Sequence, residues 1–423
     1  MPSLVIFGAQ WGDEGKGKVV DVYSEHADAC VRFNGGGNAG HTLVVGGNKV
    51  VLKHLPSCLL RDKCLAIIGN GVVVDPAVLL AELAGLHDLG YSITPERLII
   101  SPICTVVMPH HRAYEVRMEK LLGGHAIGTT KRGIGPAYAD RALRVALRLG
   151  DLLHPDIVHE RIAVKRRELA ALGLDVDWAA EERDALEWGH ALAPYMGNAA
   201  QTIRNLHAEG ANIILEGAQG VLLDVDYGTY PYVTASHTTG SYAPAGCGIP
   251  PQAIDNVMGV CKAYCTRVGA GPFPTEESGD TAVYLRSHGN EFGSTTGRPR
   301  RVGWLDLASL REIVRATGSE YLTITKLDVL TGMPTIKVGM GYMLDGEKLT
   351  SPPEDITLWS KLEPIYEELE GWNEFPAGIQ SPDDLPAAAV KYLEFVTDYV
   401  GVKLAMLSLG PAREQGIVLN GVW

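Results

Sequence analysis

Near its start the chain carries a loop of glycines and charged residues whose composition suits phosphate binding. Residues 8–18 read Gly-Ala-Gln-Trp-Gly-Asp-Glu-Gly-Lys-Gly-Lys. The four glycines let a phosphate approach backbone N–H groups and a helix N-terminus, while Lys16 and Lys18 add positive charge. Because Gly17 follows Lys16 where a Walker A loop has Ser or Thr, the segment is not a Walker A loop. An ordinary turn is the alternative, but the density of glycine and charge favours a phosphate site.

Two side chains in these glycine-rich turns have acid–base or metal-binding chemistry. Asp13 places a carboxylate inside an anion-binding loop, where it would repel phosphate unless a cation bridges them or a substrate proton needs a base. A second turn ends in Asn38-Ala39-Gly40-His41-Thr42, which sets an imidazole beside flexible backbone. His41 is therefore a candidate proton donor or phosphate partner, with an ordinary polar role as the alternative.

Strands and helices are predicted on both sides of these turns. Residues 4–7 (LVIF) predict a buried strand and residues 18–27 a helix, a strand–loop–helix opening typical of nucleotide-binding α/β proteins. Further strands are predicted at 30–33, 212–215, 257–263, 321–324 and 403–408, and helices at 76–89 and 385–399. The stretches 155–173 and 178–210 are predicted to be largely helical, and hairpins are predicted at 42–54 and 335–350. The expected fold is α/β, with a large, mainly parallel central sheet flanked by helices. Residues 1–423 are expected to form a single domain with a helical insertion at 151–210.

The overall charge excludes several classes of partner. With 37 basic and 50 acidic residues among 423, the formal net charge is −13, which argues against nucleic acid or an anionic membrane as a partner. A nucleotide would then need a local basic cluster, and Arg298-Pro299-Arg300-Arg301 supplies one. Seven cysteines without a CxxC pair indicate buried free thiols rather than a metal site or disulfides. With no signal-peptide pattern and no membrane-length apolar run, we expect a cytoplasmic protein.

Nine segments spread along the chain carry a recognisable order of motifs. They are 10–18 (QWGDEGKGK), 38–42 (NAGHT), 127–130 (IGTT), 132–138 (RGIGPAY), 216–220 (EGAQG), 228–234 (GTYPYVT), 266–276 (TRVGAGPFPTE), 295–304 (TTGRPRRVGW) and 325–328 (TKLD). In sequence and order they resemble the adenylosuccinate synthetase family. The resemblance implies GTP-dependent ligation of L-aspartate to IMP through 6-phosphoryl-IMP, giving adenylosuccinate, GDP and phosphate. This is the first committed step from IMP to AMP.

The resemblance also implies roles for individual residues. Asp13 would remove the N1 proton of IMP and His41 would act as the acid, with Lys16 and Gln219 as further catalytic residues. Mg²⁺ would be held by the Asp13 carboxylate and the Gly40 carbonyl. A homodimer is implied, because Arg144 matches an arginine that reaches the IMP phosphate in the partner subunit.

Three sets of substrate contacts follow from the same resemblance. The implied IMP contacts are Asp13, Glu14, Gly15, Lys16, Asn38, Ala39, Gly40, His41, Thr130, Arg144, Gln219, Thr234 and Arg298. The implied aspartate contacts are Ser294, Thr295, Thr296, Gly297, Arg298, Pro299 and Arg300. The implied GTP contacts are Gly12, Asp13, Glu14, Gly15, Lys16, Gly17, Lys18, Gly40, His41, Thr42, Arg300, Lys326, Leu327, Asp328, Ser408, Leu409 and Gly410.

The chain departs from the family's pattern in three places. Lys131 stands where glycine is common, residues 237–251 differ in several positions, and Ala412 replaces a usual aspartate. These departures leave open a variant ligase that acts on a related purine nucleotide, although retention of Asp13 favours IMP. A switch-type GTPase and a non-catalytic relative are the remaining alternatives. The first would have no use for segment 295–300, and the second would be expected to lose Asp13, His41 or Lys16.

Overall fold

A nine-stranded sheet runs through the centre of the protein. The computed structural model describes residues 3–45, 47–293, 297, 299–376, 378–419 and 421–423. Within these residues the strands are β1 Ser3–Gly8, β2 Ala29–Arg32, β3 His41–Val45, β4 Asn48–Leu52, β5 Leu65–Ile68, β6 Val73–Val74, β7 Leu98–Ile100, β8 Thr105–Val106, β9 Ile213–Gly220, β10 Asn256–Lys262, β11 Cys265–Arg267, β12 Arg301–Gly303, β13 Leu305–Asp306, β14 Tyr321–Thr325, β15 Thr335–Leu344, β16 Glu347–Leu349, β17 Glu363–Glu370, β18 Lys403–Ser408 and β19 Gly416–Val418. The order in the large sheet is β19-β18-β14-β10-β1-β9-β2-β5-β7.

All neighbours in this sheet are parallel except the β18–β19 pair. The central strand β1 is apolar and completely buried, as expected of a strand covered on both faces. Hydrophobic cores lie on both sides of it: Val5 and Phe7 belong to one, and Leu4 and Ile6 to the other. The predicted α/β class with a mainly parallel central sheet is therefore confirmed.

Helices pack around the sheet. They are α1 Lys16–Tyr23, α2 Pro76–Asp88, α3 Pro109–Leu122, α4 Ile134–Leu143, α5 Pro155–Leu169, α6 Trp178–Leu192, α7 Ala199–Ala208, α8 Ala243–Cys247, α9 Gly279–Gly289, α10 Leu307–Thr317 and α11 Ala387–Val400. The stretch 178–210, predicted to be largely helical, is so, and it contains two separate helices, α6 and α7. Pro194 lacks the N–H that a continuing helix needs, and Gly197 follows it, so the chain breaks between the two helices.

The predicted hairpins are present. β3 pairs with β4, and β15 pairs with β16 around Asp345, whose φ of +50° suits the turn. The helix predicted at 18–27 begins two residues earlier and is followed by a short 3₁₀ turn at Ser24–His26. Helices α5 and α6 do lie within the stretch expected to be an insertion; the single-domain assignment and the insertion stay predictions.

The carboxyl ends of the parallel strands share one edge of the sheet. The phosphate-loop candidate follows β1, the turn that leads to His41 follows β2, and Gln219 is the next-to-last residue of β9. The Lys326–Asp328 segment follows β14, and Ser408 ends β18. In open parallel sheets this edge is where ligands bind, so the topology gathers motifs that are far apart in sequence.

Two further properties of the chain are visible in the structure. All seven cysteines are buried and free, which confirms the prediction of structural thiols. Among the described residues, no helix combines the length and apolar character required to cross a lipid bilayer.

Candidate active site

The loop between β1 and α1 is folded around the carboxylate of Glu14. Glu14 is completely buried, and its Oε1 accepts from the backbone N–H of Gly12 (2.8 Å) and Gln10 (3.2 Å). Its Oε2 lies 2.5 Å from Lys16 Nζ. Gly15 adopts a φ of +91° immediately before the helix, a conformation that favours glycine. The loop is thus fixed in a shape that presents the N-terminus of α1, with Glu14 as an internal support.

Asp13 differs from its neighbour because its side chain is 41% exposed and points out of the loop. It has a φ of +60°, and its Oδ2 lies 2.8 Å from Arg300 Nε. The structure therefore brings the predicted base into contact with a residue predicted to bind both GTP and aspartate. Four residues of that segment, Ser294 to Thr296 and Arg298, lie outside the described residues.

His41 forms a buried cluster with Ser57 and Glu216. Its Nδ1 lies 2.5 Å from Glu216 Oε1 and 3.1 Å from Ser57 Oγ. Burial lowers the pKa of His41, and the nearby charge of Glu216 opposes that effect. Burial by itself would raise the pKa of Glu216, but the charge and hydrogen bond of His41, the Arg32 charge and the Ser57 N–H together hold it at about 2. The carboxylate is therefore ionised at neutral pH.

Several residues predicted to contact IMP come together from distant segments of the chain. Asn38 Nδ2 donates to Thr234 Oγ1 (3.4 Å), which joins two segments nearly two hundred residues apart. Gln219 has a φ of +60°. Its Cα lies 3.7 Å from the position that a Cβ on Gly12 would occupy, so the two backbones are close together. Ala39 is half-buried and Gly40 is exposed, so their backbone is accessible from solvent.

The segment around Thr130 has the form of an anion-binding turn. The backbone N–H groups of Ile127, Gly128 and Thr129 all donate to the Glu119 carboxylate, at 3.2, 3.0 and 3.3 Å. Successive amides that converge on one negative group form a concavity suited to phosphate. Thr130, the predicted IMP contact, comes directly after them.

The residues predicted to recognise guanine lie together. Lys326 N donates to the carbonyl of Ser408 (2.9 Å), so the two predicted guanine segments are neighbours. Lys18 Nζ donates to the carbonyl oxygens of Leu409 (3.2 Å) and Gly410 (3.0 Å). Burial lowers the pKa of Lys18 to about 8, opposed by the charge of Asp328. In this structure Lys18 therefore holds in place the segment at Leu409 and Gly410 that is predicted to bind guanine.

The buried carboxylate of Glu291 connects Lys326 to Arg300. Glu291 Oε1 accepts from Lys262 (2.9 Å) and Lys326 (2.8 Å), and Oε2 accepts from Arg300 Nη1 (2.8 Å). Tyr264 OH also donates to Oε1 at 2.6 Å. Although burial alone would raise the pKa of Glu291, these cations lower it well below its ordinary value.

Arg144 stands apart from the other predicted residues. It ends α4 with a φ of +67°, its side chain is exposed, and the adjacent Leu143 is 60% exposed. Within the described part of the chain its backbone carbonyl accepts from Arg161 (3.1 Å). Its predicted role across a dimer interface stays a prediction.

Two structural signals mark the predicted site independently of motif resemblance. Four of the seven non-glycine residues with positive φ among the described residues are predicted site residues: Asp13, Arg144, Gln219 and Lys326. Such conformations cost about 1–3 kcal/mol each and cluster at functional sites. Buried side-chain atoms without a hydrogen-bond partner include Asn38 Oδ1, Thr129 Oγ1, Gln219 Oε1 and Asp328 Oδ1. Polar atoms buried in this way are expected where a ligand supplies the missing bonds.

Sequence reasoning missed several buried polar and charged residues of the site. Arg32 and Ser57 were assigned no role, and neither were Lys262, Glu216 and Glu291. Arg32 was detectable in principle, since a charged residue in the predicted strand 30–33 is unusual. Ser57 and Glu291 carry no local signal, because their importance arises only from the tertiary contacts.

Comparison with known proteins identifies the family. A family model described as adenylosuccinate synthetase matches residues 5–417. The adenylosuccinate synthetase of Syntrophobacter fumaroxidans is 46% identical, with 99% of both chains covered. That of Desulfovibrio desulfuricans is also 46% identical and covers 99% of this chain and 100% of the relative.

Solved structures agree with this result. The structure of fully ligated adenylosuccinate synthetase from Plasmodium falciparum superposes with a TM-score of 0.93 at 35% identity, covering 99% of both chains. A succinoaminodeoxyadenylate synthetase from cyanophage S-2L, at 20% identity and a TM-score of 0.65, covers 99% of this chain and 96% of that one and shares the fold. The chain described here therefore belongs to the adenylosuccinate synthetase family and is a GTP-dependent ligase that joins L-aspartate to IMP.

Proposed function

We propose that the residues gathered at the carboxyl edge of the sheet carry out this ligation in two steps. Asp13 takes the N1 proton of IMP while O6 attacks the γ-phosphorus of GTP, which breaks the bond to GDP and forms 6-phosphoryl-IMP. The amine of L-aspartate then attacks C6, and the C6–O bond breaks with release of phosphate. The observation that carries this assignment is that the exposed Asp13 carboxylate lies in the phosphate loop while His41 and Gln219 both pack against that loop, at Gly17 and Gly12.

His41 and Lys16 handle the charge that develops during phosphoryl transfer. His41 acts as the acid that hydrogen-bonds the phosphoryl group, and Lys16 places a cation at the N-terminus of α1. Preorganised donors of this kind stabilise a transition state without reorganising solvent. Gln219 contributes an amide whose Oε1 is buried and has no protein partner among the described residues. We assign it to the reacting purine.

Family members use GTP with Mg²⁺, and the donor set here suits that ion. Asp13 offers an exposed carboxylate and Gly40 an accessible backbone carbonyl, and oxygen ligands are what Mg²⁺ prefers. When bound, the ion would neutralise charge on the phosphates of GTP and on the phosphoryl group in transfer. Arg300 occupies one oxygen of Asp13 in this structure, so we infer that Arg300 releases Asp13 when substrates bind.

The base of GTP is assigned to the two adjoining segments that follow β14 and β18. The Asp328 carboxylate can accept from N1–H and the 2-amino group of guanine, neither of which adenine offers. L-Aspartate is assigned to residues 294–300, where hydroxyls, a flexible glycine and forked cations suit a dicarboxylate. We further propose a cytoplasmic homodimer in which Arg144 reaches the IMP phosphate of the partner subunit.

A turnover assay with each component omitted in turn tests this function. Phosphate release should require IMP, GTP, L-aspartate and Mg²⁺ together, and adenylosuccinate should appear in equal amount. Substitution of dGMP for IMP tests the related-purine alternative, which predicts turnover with the guanine nucleotide. GTP hydrolysis at full rate without IMP and aspartate would instead identify a switch-type GTPase and refute the proposal.

A further inference from the structure

Glu216 is a buried carboxylate held by Ser57, which also lies beside His41. Ser57 donates to it twice, from its N–H to Oε2 (2.9 Å) and from its hydroxyl to Oε1 (2.9 Å). The Cys30 thiol lies 3.4 Å from Oε2. Since the residue has no exposed surface and its two oxygens are held by separate donors, the carboxylate cannot rotate without breaking several bonds.

The same contacts determine which nitrogen of His41 carries a proton. Both neighbours of Nδ1 are acceptors: the Glu216 carboxylate has no hydrogen to donate, and the Ser57 hydroxyl already donates to that carboxylate. Nδ1 must therefore be protonated and must donate. This leaves Nε2 as the nitrogen available to a substrate.

The position of the ring ties this arrangement to the phosphate loop. An added Cβ at Gly17, in the first turn of α1, would lie 2.8 Å from His41 Cβ and 3.5 Å from Ser57 Oγ. The imidazole is thus packed directly against the segment assigned to the phosphates. Arg32 lies 3.8 Å from Glu216, and its guanidinium nitrogens have no hydrogen-bond partner among the described residues, so it balances the buried charge without competing for the ring.

We propose that Glu216 is a positioning residue that fixes the orientation of His41 and keeps a proton on its Nδ1, so that Nε2 faces the transferring phosphoryl group and the ring, acting as the acid, carries its second proton there. The proposal deepens the function given above and rests on His41 acting there. A carboxylate that accepts from one imidazole nitrogen while the other faces the reaction is an arrangement known to hold catalytic histidines in the correct tautomer. Here the two hydrogen bonds that Ser57 donates fix the carboxylate in position.

The substitution Glu216→Gln tests the proposal with little change in shape. The backbone N–H of Ser57 cannot change from donor to acceptor, so the new amide must keep its oxygen there and turn its NH₂ toward His41. Nδ1 then becomes an acceptor and the proton moves to Nε2. Selective ¹⁵N-histidine NMR should show an Nδ1–H ring for His41 in the resting wild-type enzyme and an Nε2–H ring in the variant, with His41→Asn identifying the signal.

Kinetics supply a second readout. We expect Glu216→Gln to lower kcat at least tenfold, because an Nδ1 that accepts from the new amide cannot keep its own proton while Nε2 carries another, and a positioned acid contributes roughly 10²–10⁴-fold. The KM for GTP should change less than about twofold. In a His41→Asn background the same substitution should cause less than about a twofold further loss, since there is no ring left to orient.

A matched control exists elsewhere in the fold. Glu181 on α6 is also a buried carboxylate paired with a histidine Nδ1, that of His110 on α3. Glu181→Gln should affect thermal stability but leave kcat unchanged. The proposal is overturned if wild-type His41 carries its proton on Nε2 or if Glu216→Gln is as damaging without His41 as with it. The wild-type NMR result stands even if Glu216→Gln does not fold, and neither result depends on which substrates the omission assay identifies.

Discussion

Replacing Asp328 tests whether this residue recognises the guanine base of GTP. Its Oδ1 is buried and has no hydrogen-bond partner among the described residues, as expected of an atom that a base completes. In the Asp328→Asn variant the charge is lost, and one of two acceptor positions becomes a donor that faces a donor of guanine. A hydrogen bond to a charged group contributes about 1.5–3 kcal/mol, so kcat/KM for GTP should fall roughly 10- to 150-fold.

The same substitution should change specificity in a defined direction. Xanthosine triphosphate carries a carbonyl at position 2, which can accept from the new amide, so initial rates with it should rise relative to GTP. The KM for IMP should change little. Asp345→Asn is a matched control, because Asp345 is exposed in a hairpin turn whose positive φ asparagine tolerates. An unchanged kcat/KM for GTP, or an equal loss with both triphosphates, would refute the assignment of Asp328 to guanine.

Three other outcomes are expected. When Asp13→Ala and Arg144→Ala proteins exchange subunits, activity should rise above that of either parent, because one site of the mixed dimer has neither defect; no gain despite proven exchange would argue against a shared site. Glu119→Gln should lower the KM for IMP severalfold in initial-rate assays by removing a charge that competes for the 127–129 amides, and a higher KM would contradict this. Burial raises the pKa of Asp306 from 3.8 to about 6, so its protonation stabilises the fold below about pH 4, and about 3 kcal/mol of that stability is lost as the pH rises to 6. Asp306→Asn should flatten this part of the denaturant-unfolding profile, and an unaltered pH dependence would assign it to other groups.

The parts of the fold that were predictable are those with a local signal. The strand at 4–7 and the hairpin at 335–350 are marked by apolar runs and by turn residues. Helix α3 was not predicted, because its sequence begins Pro-His-His-Arg and buries His110, His111 and Glu115. Those polar residues hide the 3.6-residue apolar period on which helix prediction depends.

The same distinction holds for the site. The motif residues of the phosphate loop could be found because they are contiguous and directly follow the end of a predicted strand. The His41–Ser57–Glu216 cluster joins two regions more than 150 residues apart, and the pairing of β2 with β9 brings those regions together. The contact between Asp13 and Arg300 is likewise a property of the folded chain, since nothing in either segment specifies the other.

The buried thiols have a consequence for how the molecule opens. Burial raises the pKa of Cys30 and Cys104 to about 12 and that of Cys247 further, so the reactive thiolate is scarce while the sheet is intact. Alkylation must then wait for local or global opening. Because the thiols sit on several strands and helices, counting the labels acquired per molecule reports whether the sheet opens in pieces or all at once. The native cysteines thus serve as built-in labelling probes of unfolding.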